Sequence, residues 1–239
     1  MGGVSDGEDV DPVKRKHVFY LFIPVALLWI VGSSVELRSL EARRAEQRAE
    51  LFKPAQYARD FWDQRLGGVL ETALSVEYMI GLFNDDMDAA VSMGQTLGQS
   101  RVHAYLLKGK GRIVSIDKAG LSVSITGSES SPEILICAGS YISGNAVRDA
   151  SGLIDVSTFS DTMKFNMIGA EINKIVVQEV IKPFQEKGPQ VGMTVTFIGA
   201  AEVSEEATQD IRFGERRRGS EPDPSYHLLK IVPIQLTLE

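Results

Sequence analysis

Residues 17–35 read HVFYLFIPVALLWIVGSSV, and Lys14, Arg15 and Lys16 stand immediately before them. From Val18 to Val35 no side chain is charged. As a helix that run extends about 27 Å, close to the ~30 Å hydrocarbon core of a bilayer. No other feature constrains the chain as strongly, because a helix apolar on every side has no face to offer water. The basic residues ahead of it hold the amino end in the cytoplasm and send the remainder outside. Two fates fit the run: an uncleaved signal anchor, or a long signal peptide cut near Val31–Ser33, where small residues suit a peptidase. Its length favours the anchor, and Pro24 is tolerated in a membrane helix. The expected location is the cytoplasmic (inner) membrane, crossed once, with residues 1–16 inside and the bulk of the chain periplasmic.

The chain beyond Val35 must fold in water, and it has the composition to do so. The chain has 239 residues, 44% hydrophobic and 24% charged, which is ordinary for a globular protein. A net charge of −7, spread along the sequence, keeps it soluble and argues against nucleic acid as a partner. The one cysteine, Cys137, lies in the apolar run EILICAG. It has no partner for an intrachain disulfide and no local base to activate it, so it reads as a small buried hydrophobe.

Residues 36–50 mix Glu and Arg at helical spacings, such as Glu41–Arg44 and Arg43–Glu46, with little apolar surface beyond Leu37 and Leu40. They read as a solvated stalk. Beyond Pro54, Tyr57, Phe61 and Trp62 fall near one helical side and are expected in a core. Residues 84–100 read as a further helix with Asn84 or Asp85 as its cap and acidic residues in its first turn. The trio Asp85, Asp86 and Asp88 lacks the spacing and closing Glu of a calcium loop. These segments form an expected stalk and small helical subdomain over residues 36–100.

From Val102 the apolar period changes to two. VHAYLLKGKGRIVSID is expected as a strand bent at Gly109 and Gly111. GLSVSITG places Leu121, Val123 and Ile125 on one face, and EILICAGSYI makes a third, more buried strand. After Thr158, Phe165, Ile168, Ile172, Ile175, Val176 and Ile181 recur at helical spacings, and Pro183 is expected to end that helix. GMTVTFIGAAEVS and YHLLKIVPIQLTL complete the set. Three strands, a helix and two strands is the order of the OB-like Greek-key barrel. The expected class is therefore α+β: a membrane helix and helical subdomain, then a five-stranded barrel over residues 101–239 with a helix between its third and fourth strands.

Motifs that resemble chemistry mostly dissolve on inspection. GVSDG, residues 3–7, matches a hydrolase elbow but stands in a polar tail with neither strand nor helix around it. KGKGR, residues 108–112, lacks the spacing and the following helix of a phosphate-binding loop. His17, His103 and His227 form no local ligand pair. No catalytic residue, metal site or cofactor is expected, and the chain reads as a protein that is not an enzyme.

Two surfaces stand out. GNAVRDASG, residues 144–152, sets Arg148 and Asp149 among small residues after the third strand. There they read first as a hydrogen-bonded clasp between helix and barrel. As a binding element, Asn145, Arg148 and Asp149 would present a planar cation and polar partners to a ligand at the barrel mouth. The loop between the last two strands carries the basic run Arg216, Arg217 and Arg218, a solvated excursion or a contact surface.

At FKPAQYARDFWDQRL and GNAVRDASGLIDVSTFSDTMKFNMIGAEINKIV the chain resembles the DUF2291 family of predicted periplasmic lipoproteins. Gly144, Ala146, Val147, Arg148, Asp149, Phe159, Phe165 and Asn173 carry that resemblance. It implies a helical subdomain plus a barrel, no assigned activity, and a setting beside sugar-type ABC transporters. One departure is plain: Ser33 and Ser34 follow Gly32 where such lipoproteins place a cysteine, so lipidation there is not supported. The expected function is a membrane-anchored accessory protein of a solute-uptake system, sugar being the expected solute. Its contacts would be with a transporter or solute-binding protein, and the membrane would be met through residues 17–35. The alternative is a module that binds a saccharide at the barrel mouth, where Tyr105, Tyr141 and Tyr226 are the available aromatics.

Overall fold

The computed structural model describes residues 52–127, 132–159, 161–205 and 228–239. The apolar run 17–35, the stalk 36–50 and the loop bearing Arg216–Arg218, with His17, Tyr226 and His227, lie outside the described residues. Among the described residues no helix is long and apolar enough to cross a membrane.

One strand organises the rest. β3 (Val102–Ile116) pairs antiparallel with β6 (Thr194–Ser204) in unbroken register from Val102↔Ser204 to Arg112↔Thr194. Past Arg112 its other edge pairs with β4 (Gly120–Ser124), with a bulge between Ile113 and Ser115. β4 pairs antiparallel with β5 (Ile134–Cys137), and β5 runs parallel to β7 (Leu229–Leu238) through Ile134↔Leu229 and Ile136↔Ile231. β7 then pairs antiparallel with β6, which closes the cycle β3-β4-β5-β7-β6. Closure removes the exposed edges that an open sheet would have. Two short strands, β1 (Leu74–Ser75) and β2 (Gln95–Thr96), cover the first half of β3 along its remaining edge.

The bend expected at Gly109 and Gly111 is where β3 changes partners. A Cβ at Gly111 would lie 2.5 Å from Val123 Cγ1 and 2.6 Å from the Ser124 carbonyl, so only glycine allows β4 to approach there. Pro233 sits within β7, opposite Gly199. It lies past Ile231, the last residue paired with β5, so its missing N–H leaves no ladder bond unmade on that side.

The barrel interior is close-packed by Leu107, Ile113, Val123, Ile134, Ile136, Val195, Phe197 and Ile231, all essentially inaccessible. β4 keeps the expected alternation, yet Ser122 and Ser124 on its second face are buried as well. Helix α1 (Pro54–Asp60) continues through a wide turn at Phe61–Arg65, and then come α2 (Val76–Asp85) and α3 (Met87–Ser92). Phe61 enters the same hydrophobic core as the barrel, with Tyr57 and Trp62 half-buried against it. The helix expected over 84–100 is shorter than anticipated, because Asn84 and Asp85 belong to the end of α2. Asp86 is the residue that caps α3, accepting the Ala89 N–H at 3.1 Å. Glycine-bounded Gln95–Thr96 then pairs with β3 rather than extending the helix.

Between β5 and β6 come α4 (Ala146–Ala150) and α5 (Thr162–Ile175), the latter capped by Asp161, which accepts the Met163 N–H at 2.8 Å. Pro183 does not end this helix. A π-helical turn at Val176–Ile181 widens it, with the Lys182 N–H reaching back to the Val177 carbonyl, and α6 (Lys182–Glu186) carries on with Pro183 in its first turn. The change of winding relieves the clash that proline would otherwise make with the preceding turn. Phe165, Ile168, Ile172, Val176, Ile181 and Phe184 from this long element are all buried in the core.

Candidate functional site

The Gly144–Ser151 segment turns the chain from β5 onto α5, and Arg148 secures it. Its side chain is 3% exposed. Nε donates to Asp149 Oδ1 at 2.6 Å and Nη2 to Asp149 Oδ2 at 3.1 Å, a fork that engages both carboxylate oxygens. Nη1 donates to the Phe165 carbonyl at 3.0 Å and to Asn166 Oδ1 at 3.2 Å. The guanidinium plane also lies over the Phe165 ring, 3.6 Å from its centroid. Arg148 thus ties α4 to the first turn of α5. Asp149 receives the guanidinium on both carboxylate oxygens.

Asn145 stands at the head of α4. Its backbone N–H donates to Glu202 Oε1 on β6 at 3.1 Å, and its side-chain oxygen faces Gly169 of α5. A Cβ at residue 169 would come within 2.0 Å of that oxygen, so glycine there lets the loop and helix meet. Partial desolvation under this turn raises the pKa of the Glu202 carboxyl, although the residue as a whole is exposed, and neighbouring Asp149 adds to the rise.

Where the 140–145 loop arches away from α5, a cleft of about 390 Å³ opens between them. That lies within the range of small-molecule sites. From the loop come Ser140, Tyr141, Ser143 and Asn145; from the helix come Asn166, Asn173, Lys174, Gln178 and Lys182. Asn173 forms its inner wall. It is 8% exposed, and its Nδ2 donates to the carbonyls of Gly144 at 2.8 Å and Ile142 at 3.3 Å. Both amide hydrogens are therefore committed, which leaves Oδ1 as an acceptor without a partner among the described residues. Tyr141, at the rim, is 82% exposed and makes no ring contact with the described residues. The π-helical turn supplies Val177 and Gln178 to the same cleft.

The candidate residues therefore separate. Asn145 lines the cleft; Arg148 and Asp149 stand behind its wall as the clasp; Arg216, Arg217 and Arg218 lie outside the described residues. Of the aromatics singled out, Tyr141 reaches the cleft, whereas Tyr105 is buried, its hydroxyl donating to the Ala90 carbonyl at 3.1 Å. Burial pushes the Tyr105 phenol up to about 12. Asn166, Gln178 and Lys182 were not anticipated. The polar side chains at residues 166, 173, 174, 178 and 182 spread over about half of the helix circumference at 100° per residue, too broad a pattern to mark a site in the sequence. His103 joins the neighbouring strand through Nε2, 2.7 Å from Glu205 Oε1. Burial raises the Cys137 thiol, consistent with a packed rather than a reactive sulfur. Among the described residues no three His, Cys, Asp or Glu side chains gather in a metal-holding group.

Comparison with known proteins adds three findings. The family model of DUF2291, predicted periplasmic lipoproteins, matches residues 25–212. The crystal structure of an OB-fold protein from Thermotoga maritima superimposes with a TM-score of 0.63 at 24% identity, covering 79% of this chain and 99% of that one. The likeness shows the OB fold. No curated protein matches the chain.

Proposed function

This chain belongs to the DUF2291 family of predicted periplasmic lipoproteins, and on that premise we propose that it binds a small polar solute, of the saccharide class, outside the cytoplasm. Residues 17–35 hold it to the inner membrane, where the bound solute is at hand for an uptake system of the ABC type. The observation that carries the reading is the cleft between the 140–145 loop and α5. Its wall offers an amide acceptor on Asn173 that has no partner among the described residues, further amides on Asn166 and Gln178, and hydroxyls on Ser140 and Ser143. Sugar hydroxyls, each both donor and acceptor, match such a wall. Tyr141 at the rim supplies an aromatic plane for the apolar face of a sugar ring. The π-helical turn beside it is a feature often retained where a helix carries a site.

Thermal unfolding of the full chain against a panel of mono- and disaccharides tests this. A sugar at a hundred times its Kd stabilises by about 2.7 kcal/mol. In a chain of this size that raises Tm by roughly 5–10 °C. The shift is expected for the wild type and lost in Tyr141→Ala, whose exposed side chain leaves stability within about 0.5 kcal/mol of wild type. No shift with any sugar, or one untouched by Tyr141→Ala, would remove the proposal.

A second reading, contact with a transporter or solute-binding protein, draws on Met163 and Met167. They lie one turn apart on α5, 67% and 44% exposed, and methionine suits adaptable protein contacts. Site-specific crosslinking from position 163 in native membranes tests it; crosslinks to no membrane or periplasmic protein would exclude it.

A further inference from the structure

The charges around the cleft are one-sided. In a chain with 32 acidic and 25 basic residues, its lining among the described residues includes Lys174 and Lys182 and no Asp or Glu. The two lysines differ in what they can offer. Lys174 Nζ is held by Glu171 Oε1 at 2.7 Å, which offsets its charge. Lys182 has no carboxylate partner among the described residues: Glu179, one turn before it, is taken by Arg59, which crosses from α1. Among the described residues, the ammonium of Lys182 is thus a cation at one end of the cleft that no carboxylate pairs. At the other stands Oδ1 of Asn173, an acceptor without a partner among the described residues.

Resting on the saccharide reading of this cleft, we infer that its ligand is an anionic sugar, bearing a carboxylate or phosphate that pairs with Lys182 while its hydroxyls meet the Asn173 amide. A neutral sugar leaves the ammonium unmatched, and an amino sugar is repelled by it. Lys182 lies on an exposed helical face, where a lysine substitution leaves the fold intact. The opposite charge acts across a cleft partly shielded from water, so the discrimination between an anionic sugar and its neutral counterpart is at least tenfold in Kd.

Isothermal titration of the full chain with D-glucuronate, D-glucose 6-phosphate, D-glucose and D-glucosamine reads this directly, alongside Lys182→Gln and Lys174→Gln. The expected result is tenfold or tighter binding of one or both anionic sugars over glucose, with glucosamine weakest. Whichever of glucuronate and glucose 6-phosphate binds tighter identifies the anion as carboxylate or phosphate. Lys182→Gln removes the preference for the anionic sugar over glucose, while Lys174→Gln has the smaller effect. Glucose binding as tightly as either anionic sugar, or a preference that survives Lys182→Gln, overturns the anionic assignment and leaves the saccharide reading standing. Binding of none of the four sugars overturns both.

Discussion

Arg148→Ala should destabilise the protein by about 3 kcal/mol, at the lower end of the ~3–5 kcal/mol typical of breaking one side of a buried ion pair. The wild-type guanidinium is 3% exposed and makes four hydrogen bonds: two to Asp149 (2.6 and 3.1 Å), one to the Phe165 carbonyl (3.0 Å) and one to Asn166 (3.2 Å). It also covers the Phe165 ring at 3.6 Å. Truncation strands the Asp149 carboxylate, whose side chain keeps 15% of its exposure and so recovers some hydration, which sets the estimate low. Helix α4, only five residues long, cannot hold its place by intrinsic propensity. Urea denaturation of the full chain, followed by circular dichroism, measures the loss, with a fall in Tm of roughly 6–12 °C. Asp149→Ala added to Arg148→Ala should cost less than the sum of the two, a coupling of about 1.5 kcal/mol or more. A loss below about 1 kcal/mol, or strict additivity, would refute the clasp.

Gly111→Ala should cost about 3 kcal/mol in the same denaturation assay, because the new methyl meets the Ser124 carbonyl, which the barrel ladder holds in place. A neutral outcome would contradict the barrel closure described. Glu202 predicts a pH dependence: its carboxyl is raised in the folded state, so the folded protein binds that proton more tightly than the unfolded chain does. Its contribution to stability is then present at low pH and lost as pH rises through the folded pKa. Unfolding free energies of wild type and Glu202→Gln between pH 4 and 7 should diverge with rising pH in favour of the glutamine variant. A difference constant with pH, or one that grows on acidification, would count against the raised Glu202 carboxyl.

Much of the barrel was legible because its cause is local. Alternating apolar residues mark β3 to β7, and the glycines of β3 mark the bend, since a strand that changes partners needs a position without a side chain. The boundary errors came from causes that are not local. Pro183 reads as a stop only if the helix keeps α-helical winding, and the π-helical turn before it depends on how α5 packs over the barrel. Asn84 and Asp85 look like caps until α2 is seen to use them. A charge pair among small residues marks Arg148, yet in place of the clasp expected between helix and barrel it joins α4 to α5, and the carboxylate it takes is its own neighbour. The cleft was not readable in advance. It exists because the 140–145 loop stands off from α5, and neither its volume nor the free oxygen of Asn173 is encoded in any local spacing.

If the cleft is where the solute binds, two-dimensional amide NMR of the full chain, titrated with the sugar giving the largest thermal shift, reads it residue by residue. The side-chain NH2 signals of Asn166, Asn173 and Gln178, with the backbone amides of residues 140–145, should move together along one binding curve. Shifts confined to the barrel strands β3, β6 and β7, with those three side-chain signals still, would place the ligand elsewhere and contradict it.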